Sequence, residues 1–482
     1  MRTRSTRSVA AAPFALALSL VLLFAAASPA GARDGRIGGR SPAAPTDHNV
    51  NISKMHANQT EESVAINKTN PNNIVAISNL DTANGLFKAF STDGGKTWTT
   101  DVIADGDGLG TACCDGSLSF DQYGNLFMAY LNANNGNVPI ALSTDGGATF
   151  TLIATIHPSA PGPLSGPTKG RSLSPLASAD QPTITTGANS VWVTWTSTKI
   201  QASGAAVTGL GQVGTFSTPQ NAGGTNSFGD YGDVAIGPNG QVMVIYQNPT
   251  GGQGPANIYT DLDPDGLGPL GFLAAVLFAT TSVGGFDFIP AQSTRSIDAE
   301  SALMWDRTTG THAGRLYAMW TQETPDESNN TDIMFQYSDT GGSTWTPPVK
   351  LNDDSGTNSQ FNPKLAIDQK TGKLAACWYD ARNDLGTGGS GDTNGIPNDD
   401  AQHWCTYSTD GGATFVPNFQ VSKGTSNAKD ANNGIDYGDY GALDFSASRF
   451  SPVWSDNSNS TGDNPDGTLK RFDLYTVRIR VR

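Results

Sequence analysis

The octet STDGGKTW at Ser91–Trp98 occurs, with small changes, at four places in the chain. STDGGATF stands at Ser143–Phe150 and again at Ser408–Phe415, and SDTGGSTW stands at Ser338–Trp345. Each octet predicts a turn, because its glycine pair accepts positive φ angles and its Ser and Asp side chains accept hydrogen bonds from turn amides. The closing Trp or Phe is expected to pack inward. In SDTGGSTW the Asp has moved to second place, so the side-chain hydrogen bonds there should differ.

Seven stretches of alternating apolar and polar residues accompany the octets. They begin at Glu62, Asp115, Asp180, Asp233, Asp298, Asn362 and Tyr440. Each stretch reads as two antiparallel strands joined by a short turn. In four of the repeats the octet then joins a third strand to a fourth, and the spacing has the scale of four-stranded propeller blades. The sequence therefore predicts an all-β propeller of seven blades, with six blades as the alternative.

The N-terminal residues predict secretion. The basic segment MRTRSTR precedes the apolar run FALALSLVLLFAAA, and Ala30–Ala32 supplies an A-x-A cleavage site, so residues 1–32 have the pattern of a signal peptide cleaved near Ala32. Residues 33–54 form an N-terminal segment, whose HNVNIS stretch is expected to close the ring by adding a strand to the last blade. Residues 55–482 are the predicted propeller.

The charge and the cysteines exclude several classes of function. Without residues 1–32 the chain has 26 basic and 44 acidic residues, a net charge of −18. Such a chain repels nucleic acid and anionic lipid, so we expect neither nucleic-acid binding nor membrane insertion, and we expect a monomer. Four cysteines are too few for a disulfide scaffold. In an oxidising compartment, Cys113–Cys114 with Cys377–Cys405 is the simplest of the three possible pairings.

The octet resembles the Asp-box, or BNR repeat, of the sialidase-like β-propellers, whose consensus is S-x-D-x-G-x-T-W. Through the accompanying strand pairs the resemblance covers most of residues 55–482. It implies the propeller fold, with the octets at the blade periphery and away from the substrate pocket. It leaves the chemistry open, because the superfamily includes sialidases, xyloglucanases, sortilin-type receptors and assembly factors.

Acidic and tyrosine side chains precede the first strand of most repeats, at positions that surround one mouth of a propeller channel. The predicted catalytic residues are Asp115, Asp180, Asp233, Asp298, Asp439, Tyr231 and Tyr440, and further acids at such positions are Glu61, Glu62, Asp230, Glu300 and Asp436. Glycoside cleavage needs one protonated and one ionised carboxyl group.

We predict that Asp233 or Asp439 supplies the acid. Its counterpart is predicted to be Asp115, Asp180 or Asp298. The alternative is that these Asp residues cap strand starts by accepting hydrogen bonds from loop amides.

The sialidase resemblance also implies three arginines that hold a substrate carboxylate, since the planar guanidinium binds it bidentately. Arg171, Arg295 and Arg382 stand in loops suited to this role, whereas the family's F/Y-R-I-P motif is missing, because RIGG at Arg36 lacks the proline. We therefore predict a secreted glycan-active hydrolase with axial carboxylates, exo-sialidase-like if it is an enzyme. The alternatives are a non-catalytic carbohydrate- or protein-binding propeller at the cell surface and a structural or assembly role there.

The stretch DLDPDGLG at Asp261–Gly268 predicts a calcium site. Asp261, Asp263 and Asp265 reproduce the first half of a D-x-D-x-D-G loop, in which alternate carboxylates surround one hard cation. The Glu expected at the twelfth place is replaced by Phe272. We expect a structural Ca²⁺ here and no other cofactor.

Overall fold

The computed structural model describes residues 48–81, 84–158, 179–197, 199–222, 229–249 and 251–482. Almost all of its regular structure is β-strand, and the single helix within these ranges is α1 (Ala428–Ala431). No helix in these ranges is long and apolar enough to cross a membrane. Residues 1–32 lie outside the described residues, so the signal peptide stays a prediction.

The strands form seven antiparallel sheets, one for each predicted repeat, and one separate hairpin. The N-terminal strand is β1 (Val50–Asn51). Blade 1 contains β2 (Gln59–Ile66), β3 (Ile74–Leu80), β4 (Leu86–Ser91) and β5 (Thr99–Ile103), and blade 2 contains β6 (Asp105–Asp107), β7 (Gly110–Phe120), β8 (Leu126–Asn132), β9 (Val138–Ser143) and β10 (Thr151–Ile156). Blade 3 contains β11 (Asp180–Gly187), β12 (Ser190–Ser197), β13 (Lys199–Gly209), β14 (Gln212–Val213) and β15 (Gln220–Asn221), and blade 4 contains β16 (Asp230–Ile236), β17 (Val242–Asn248), β18 (Ala256–Asp263) and β19 (Val276–Thr281).

The second half of the chain continues the same pattern. The separate hairpin is β20 (Asp287–Ile289) with β21 (Gln292–Ile297). Blade 5 contains β22 (Ala302–Trp305), β23 (Leu316–Glu323), β24 (Thr331–Ser338) and β25 (Val349–Lys350), and blade 6 contains β26 (Gln360–Ile367), β27 (Leu374–Asp380), β28 (Asp400–Ser408), β29 (Phe419–Gln420) and β30 (Ser426–Asn427). Blade 7 contains β31 (Ala442–Ser446), β32 (Arg449–Asp456), β33 (Asp473–Thr476) and β34 (Ile479–Arg480).

The first long strand of each blade contacts the corresponding strand of the next, and the cycle closes. β2 contacts β7, β7 contacts β11, β11 contacts β16, β16 contacts β22, β22 contacts β26, β26 contacts β31, and β31 returns to β2. Seven sheets thus surround one axis, and the innermost strand of each sheet faces that axis. The prediction of a seven-bladed all-β propeller is confirmed, and the alternative of six blades is wrong.

The N-terminal segment supplies a strand to the seventh blade. Val50 pairs with Thr476 and Asn51 with Tyr475, antiparallel to β33. The Asn51 side chain also donates to the carboxylate of Asp473 at 2.6 Å. The beginning and the end of the described chain therefore share one sheet, which ties the ring together.

Three octets have the same hydrogen bonds at the ends of third strands. In Ser143–Phe150, the Asp145 carboxylate accepts from the Thr149 hydroxyl at 2.6 Å and from its amide at 3.0 Å, while the Ser143 hydroxyl accepts from the Gly147 amide at 2.8 Å. The octets at Ser91 and Ser408 repeat these bonds. Each closing aromatic packs against a buried cluster at the blade interface. The octets are therefore structural turns on the outer half of the blades.

The fourth octet differs, as its sequence predicts. Thr340 takes the place of the Asp, and its hydroxyl accepts from the Thr344 amide at 2.8 Å. Asp339, now in second place, instead forms a bidentate ion pair with Arg315, at 2.7 and 2.8 Å. The same guanidinium donates to the carbonyl of Gly411, which belongs to the octet of blade 6. A moved carboxylate thus links two neighbouring blades.

Both disulfides follow the simplest pairing. Cys377 and Cys405 face each other on β27 and β28 and are bonded. Cys113 and Cys114 are bonded to each other in β7, and no free cysteine remains.

Candidate functional site

The inner strands carry a recurrent backbone distortion near their beginnings. Six residues at equivalent positions have positive φ angles between 37° and 57°: Glu61, Asp115, Gln181, Tyr231, Glu300 and Asn362. In five of these strands the pairing register also shifts there, as between Thr60 and Ser63. A bulge with a non-glycine residue at positive φ is costly and re-aims its side chain, and such features concentrate at functional sites. Tyr440 is the corresponding residue of blade 7.

Side chains from these positions meet at the axis. Burial raises the pKa of the Tyr440 hydroxyl well above its ordinary value, and the neighbouring carboxyl groups of Asp115, Glu61, Asp439 and Glu300 add to the rise. Four blades therefore contribute to one cluster of ionisable groups. We call these five residues, with Gln181, Arg295 and Lys364, the axial cluster.

Hydrogen bonds connect its members from blade to blade. The Asn79 amide group donates to the Glu61 carboxylate and accepts from the Asp115 backbone amide at 2.8 Å. The Asp115 carboxylate accepts a hydrogen bond from the backbone amide of Gln181 at 3.2 Å. The side-chain amide of Gln181 donates to the Asp439 carboxylate at 2.9 Å. The chain of bonds fixes these groups relative to one another across blades 1, 2, 3 and 7.

The β20–β21 hairpin brings an arginine to this cluster. Arg295 donates to both oxygens of Asp439, with Nε at 2.7 Å from Oδ1. The hairpin is held to the loop before β31, because the Asp436 carboxylate accepts from the amides of Thr294 and Arg295 at 2.6 and 3.0 Å. Arg295 keeps 34% of its side chain exposed, against 7% for Asp439. The pair is thus reached from solvent at the arginine.

Burial and mutual repulsion make several of the acids weak. Burial raises the pKa of Asp115 to about 7, and the charges of Asp180 and Asp439 add to the effect. Burial likewise raises the pKa of Glu300 to about 8, although Lys364, with its Nζ 3.6 Å from the carboxylate, opposes the rise. The pKa of Glu61 lies well above its ordinary value for the same main reason. The cluster therefore holds neutral carboxylic acids near pH 7.

A cavity of about 500 Å³ runs along the axis beside the cluster. Its walls are the seven inner strands. Gln181, Tyr231, Glu300, Lys364 and Tyr440 line it where those strands begin, and Lys68, Gln122, Asn189, Arg307 and Gln369 line it where they end. This volume is in the range of small-molecule sites. Gln181, Glu300, Lys364 and Tyr440 of the axial cluster line the cavity, whereas Glu61, Asp115, Asp439 and Arg295 lie behind this lining.

The structure brings all seven predicted catalytic residues into or next to this cluster. Asp115, Asp439 and Tyr440 belong to it. The charge of Asp180 acts on Glu61 and Asp115. Asp298 accepts from the Glu300 amide at 2.5 Å, and the charges of Glu300 and Asp439 help burial to raise its pKa.

The other two predicted residues, Asp233 and Tyr231, line the cavity, and they act electrostatically on Glu300 and Arg295, respectively. Asp233 accepts from its neighbour Val234 at 2.8 Å and from the Leu303 amide of blade 5 at 2.9 Å. Ser63 and Ser117 accept from the next inner strand in the same way, so the Asp233 carboxylate links neighbouring inner strands as these hydroxyls do. The hydroxyl of Tyr231 donates to the Gly285 carbonyl at 2.5 Å.

The three predicted arginines do not share one place within the described residues. Arg295 belongs to the axial cluster. Arg382 pairs with Asp380 at 2.8 Å and Asp353 at 2.7 Å and lies 4.2 Å from the centroid of the Trp404 ring, and none of these partners lines the channel. Arg171 falls outside the described residues.

Glu61, Gln181, Glu300 and Lys364 belong to the site but were not predicted as catalytic or binding residues. The signal for most of them is present in the sequence. In every repeat one further residue stands between the axial residue and the alternating strand. These residues are Glu62, Gly116, Pro182, Gly232, Ser301, Pro363 and Gly441. Five of these seven are glycine or proline, which mark an irregularity just inside the strand.

Residues 89–100, around the first octet, match the BNR/Asp-box repeat family. No curated protein matches the sequence significantly. Among solved structures, the phage phi92 endosialidase is 11% identical, with 91% of this chain and 70% of that chain covered and a TM-score of 0.48. The α-L-arabinofuranosidase Arb93A from Fusarium graminearum is 13% identical, with 71% of this chain and 93% of that chain covered and a TM-score of 0.44. A Hadza microbial sialidase is 11% identical, with 85% of this chain and 73% of that chain covered and a TM-score of 0.43. At such identities likeness concerns the fold alone.

Proposed function

We propose that this seven-bladed β-propeller, whose residues 89–100 match the BNR/Asp-box repeat, is a glycan-active hydrolase whose axial carboxyl groups cleave a glycosidic bond. One observation carries the proposal: Asp115, whose pKa burial raises to about 7, lies within electrostatic reach of Asp439, which Arg295 holds in a bidentate ion pair. Glycosidases need such a pair, one carboxyl protonated and the other ionised.

The two carboxyl groups take complementary roles in this proposal. Asp115 donates its proton to the glycosidic oxygen as the bond from that oxygen to the anomeric carbon breaks. Asp439, as a carboxylate, supports the positive charge that develops on the sugar, either as nucleophile or as the base that activates water. A general acid works best with a pKa near the operating pH, which the burial of Asp115 provides. The assignment keeps Asp439 and Asp115 from the predicted set but exchanges their roles, because burial raises the pKa of Asp115 while Asp439 is ion-paired with Arg295. It gives Asp233 no catalytic role.

The substrate is proposed to be a glycan whose hydroxyl groups bond to the polar side chains that line the cavity, including Glu300 and Lys364. Arg295 is the sole arginine of the axial cluster, and Arg382 is engaged elsewhere. This favours a neutral sugar, or one with a single acidic group, over the three-arginine clamp that the sialidase resemblance implies. We further propose that the protein acts outside the cell, which the signal-peptide pattern and the paired cysteines support.

The test is release of reducing sugar from a panel of sialyllactose, arabino-oligosaccharides, xyloglucan and acidic polysaccharides. The purified protein is compared with its Asp115→Asn, Asp439→Asn double variant. Hydrolysis of one substrate by the wild type, with at least a 100-fold loss in the variant, is the expected result. Turnover that survives in the double variant would reject the assignment of residues.

A second candidate is a non-catalytic carbohydrate-binding propeller. The burial of Glu61, Asp115 and Asp439 favours it, because only Arg295 of the ion pair is well exposed. Saturable binding of a glycan by calorimetry, without any release of sugar over a day, would decide for this candidate.

A further inference from the structure

Strand β18 carries two buried carboxylates with unsatisfied oxygens. Asp261 is 1% exposed, and neither of its oxygens has a hydrogen-bond partner among the described residues. Asp263 is fully buried, and its Oδ2 also lacks a partner there. A buried carboxylate oxygen without a donor is costly, so three of them within one stretch of strand call for an unseen partner.

The two side chains are placed to share that partner. Asp261 pairs with Val244 and Asp263 with Val242 of β17, so they stand two residues apart on one face of the strand. Their Cβ atoms are then about 7 Å apart, and two carboxylates at that spacing can reach one ion at about 2.4 Å from each. None of the ion pairs in the described part of the chain involves either residue.

The loop after β18 fixes which oxygen of Asp263 is free. Its Oδ1 accepts from the amides of Asp265 and Gly266, at 3.2 and 2.8 Å. Gly266 has φ +58°, and a Cβ there would overlap the carbonyl of Gly240, so the turn is held against the β16–β17 connection. The Oδ2 of Asp263 is thereby left for another partner.

The three carboxylates of the predicted calcium loop do not converge on one point. Within the described residues, Asp261, Asp263 and Asp265 do not bring three ligand oxygens within 4.8 Å of one another. Asp265 is partly exposed and accepts from the Leu270 amide at 3.3 Å. Its carboxyl interacts with that of Asp263, but the three acids do not converge on one point, so Asp261 and Asp263 are the two strand ligands of the proposed site.

We propose that Asp261 and Asp263 bind one divalent cation, Ca²⁺, which fixes the end of β18 and the loop that follows. Oxygen ligands select a hard cation, and two carboxylates balance its charge. Calcium tolerates irregular coordination completed by water, whereas Mg²⁺ demands a near-octahedral site. The inference does not depend on the proposed function, because β18 is the third strand of blade 4 and not an inner strand.

Terbium luminescence tests the site, since Tb³⁺ replaces Ca²⁺ and is sensitised by nearby aromatic rings. Tyr259 stands two residues before Asp261 on the same face of the strand, which provides the donor. With the chelator-treated full chain, we expect luminescence that Ca²⁺ displaces and a rise in Tm of at least ~2 °C on addition of Ca²⁺. Asp261→Asn and Asp263→Asn should each weaken Tb³⁺ binding at least tenfold and remove the rise in Tm.

Two controls make the result specific. Asp105→Asn alters an exposed carboxylate of blade 2 and should retain the binding. Asp392→Asn alters another acidic group, formed by Asp384, Asp392 and Asp400, and should retain it as well. Both strand variants replace a buried carboxyl by a neutral isostere and should fold. Absence of luminescence and of any Ca²⁺-dependent rise in Tm in the wild type would overturn the proposal, as would binding that is lost in Asp392→Asn and kept in Asp261→Asn.

Discussion

Replacing Glu62 by glutamine should flatten the pH dependence of the unfolding free energy. Glu62 is fully buried between blades 1 and 7, and its carboxyl accepts from the Ser455 hydroxyl at 2.8 Å and meets the Tyr379 hydroxyl at 3.4 Å. Burial raises its pKa from 4.5 to about 8, and none of the ion pairs among the described residues includes it. The folded protein thus holds a proton that the unfolded chain releases.

The size of the effect follows from these two values. A raised pKa gives stability that is fully present below the unfolded value of 4.5 and is lost as the pH rises through about 8. One pKa unit corresponds to about 1.4 kcal/mol. Between pH 5 and pH 8, this single group therefore removes roughly 3–4 kcal/mol from the wild type. Glutamine does not titrate, so Glu62→Gln should lose that much less over the same interval.

Guanidinium chloride unfolding followed by tryptophan fluorescence at pH 5, 6.5 and 8 measures the difference. Asp105→Asn, at an exposed position of blade 2, serves as the matched control and should follow the wild type. If Glu62→Gln and the wild type lost equal stability between pH 5 and 8, Glu62 would be ionised in the folded protein, and the reasoning from burial would be refuted.

Two further predictions concern the turns and the packing between strands. Asp145→Asn should lower the unfolding free energy by about 1–2 kcal/mol, because it weakens the hydrogen bonds to Thr149 and Ser143. It should leave any hydrolysis unchanged. An unaltered denaturation midpoint would contradict the structural role of the octet. Gly204→Ala should destabilise by about 1–3 kcal/mol, because the added Cβ would overlap the buried Trp192 indole; a Tm equal to that of the wild type would show that the ring has room to move.

The outer half of each blade was predictable from the sequence because its determinants are local. A turn such as Ser143–Phe150 bonds to itself, within five residues, and the departure in Ser338–Trp345 was visible from the place of its Asp. The strand pairs follow from period-two alternation, which depends on neighbouring residues alone. Seven such units then leave a closed ring as the arrangement that buries each blade against the next.

The axial cluster was only partly predictable because it joins residues that are far apart in the chain. Gln181 and Asp439 meet across 258 positions, and Arg295 reaches Asp439 from a hairpin that belongs to no blade. In blade 4 both Tyr231 and Asp233 were predicted, but alternation alone does not reveal that the bulge makes Tyr231 the residue equivalent to Glu61 and Asp115. No pattern in one strand tells which carboxylates will face each other over the channel.

In the proposed function, the axial carboxyl groups, and not the repeated octets, catalyse glycan hydrolysis. The most direct test of this role is the rate of glycan hydrolysis by Asp115→Asn beside that of Asp145→Asn, with the wild type as reference, from pH 5 to pH 9. Wild-type activity should fall as the pH rises through about 7, where Asp115 loses its proton. Asp115→Asn should lose at least 100-fold, and Asp145→Asn should keep the wild-type rate and profile. Equal rates for Asp115→Asn and the wild type on a cleaved glycan would contradict the account.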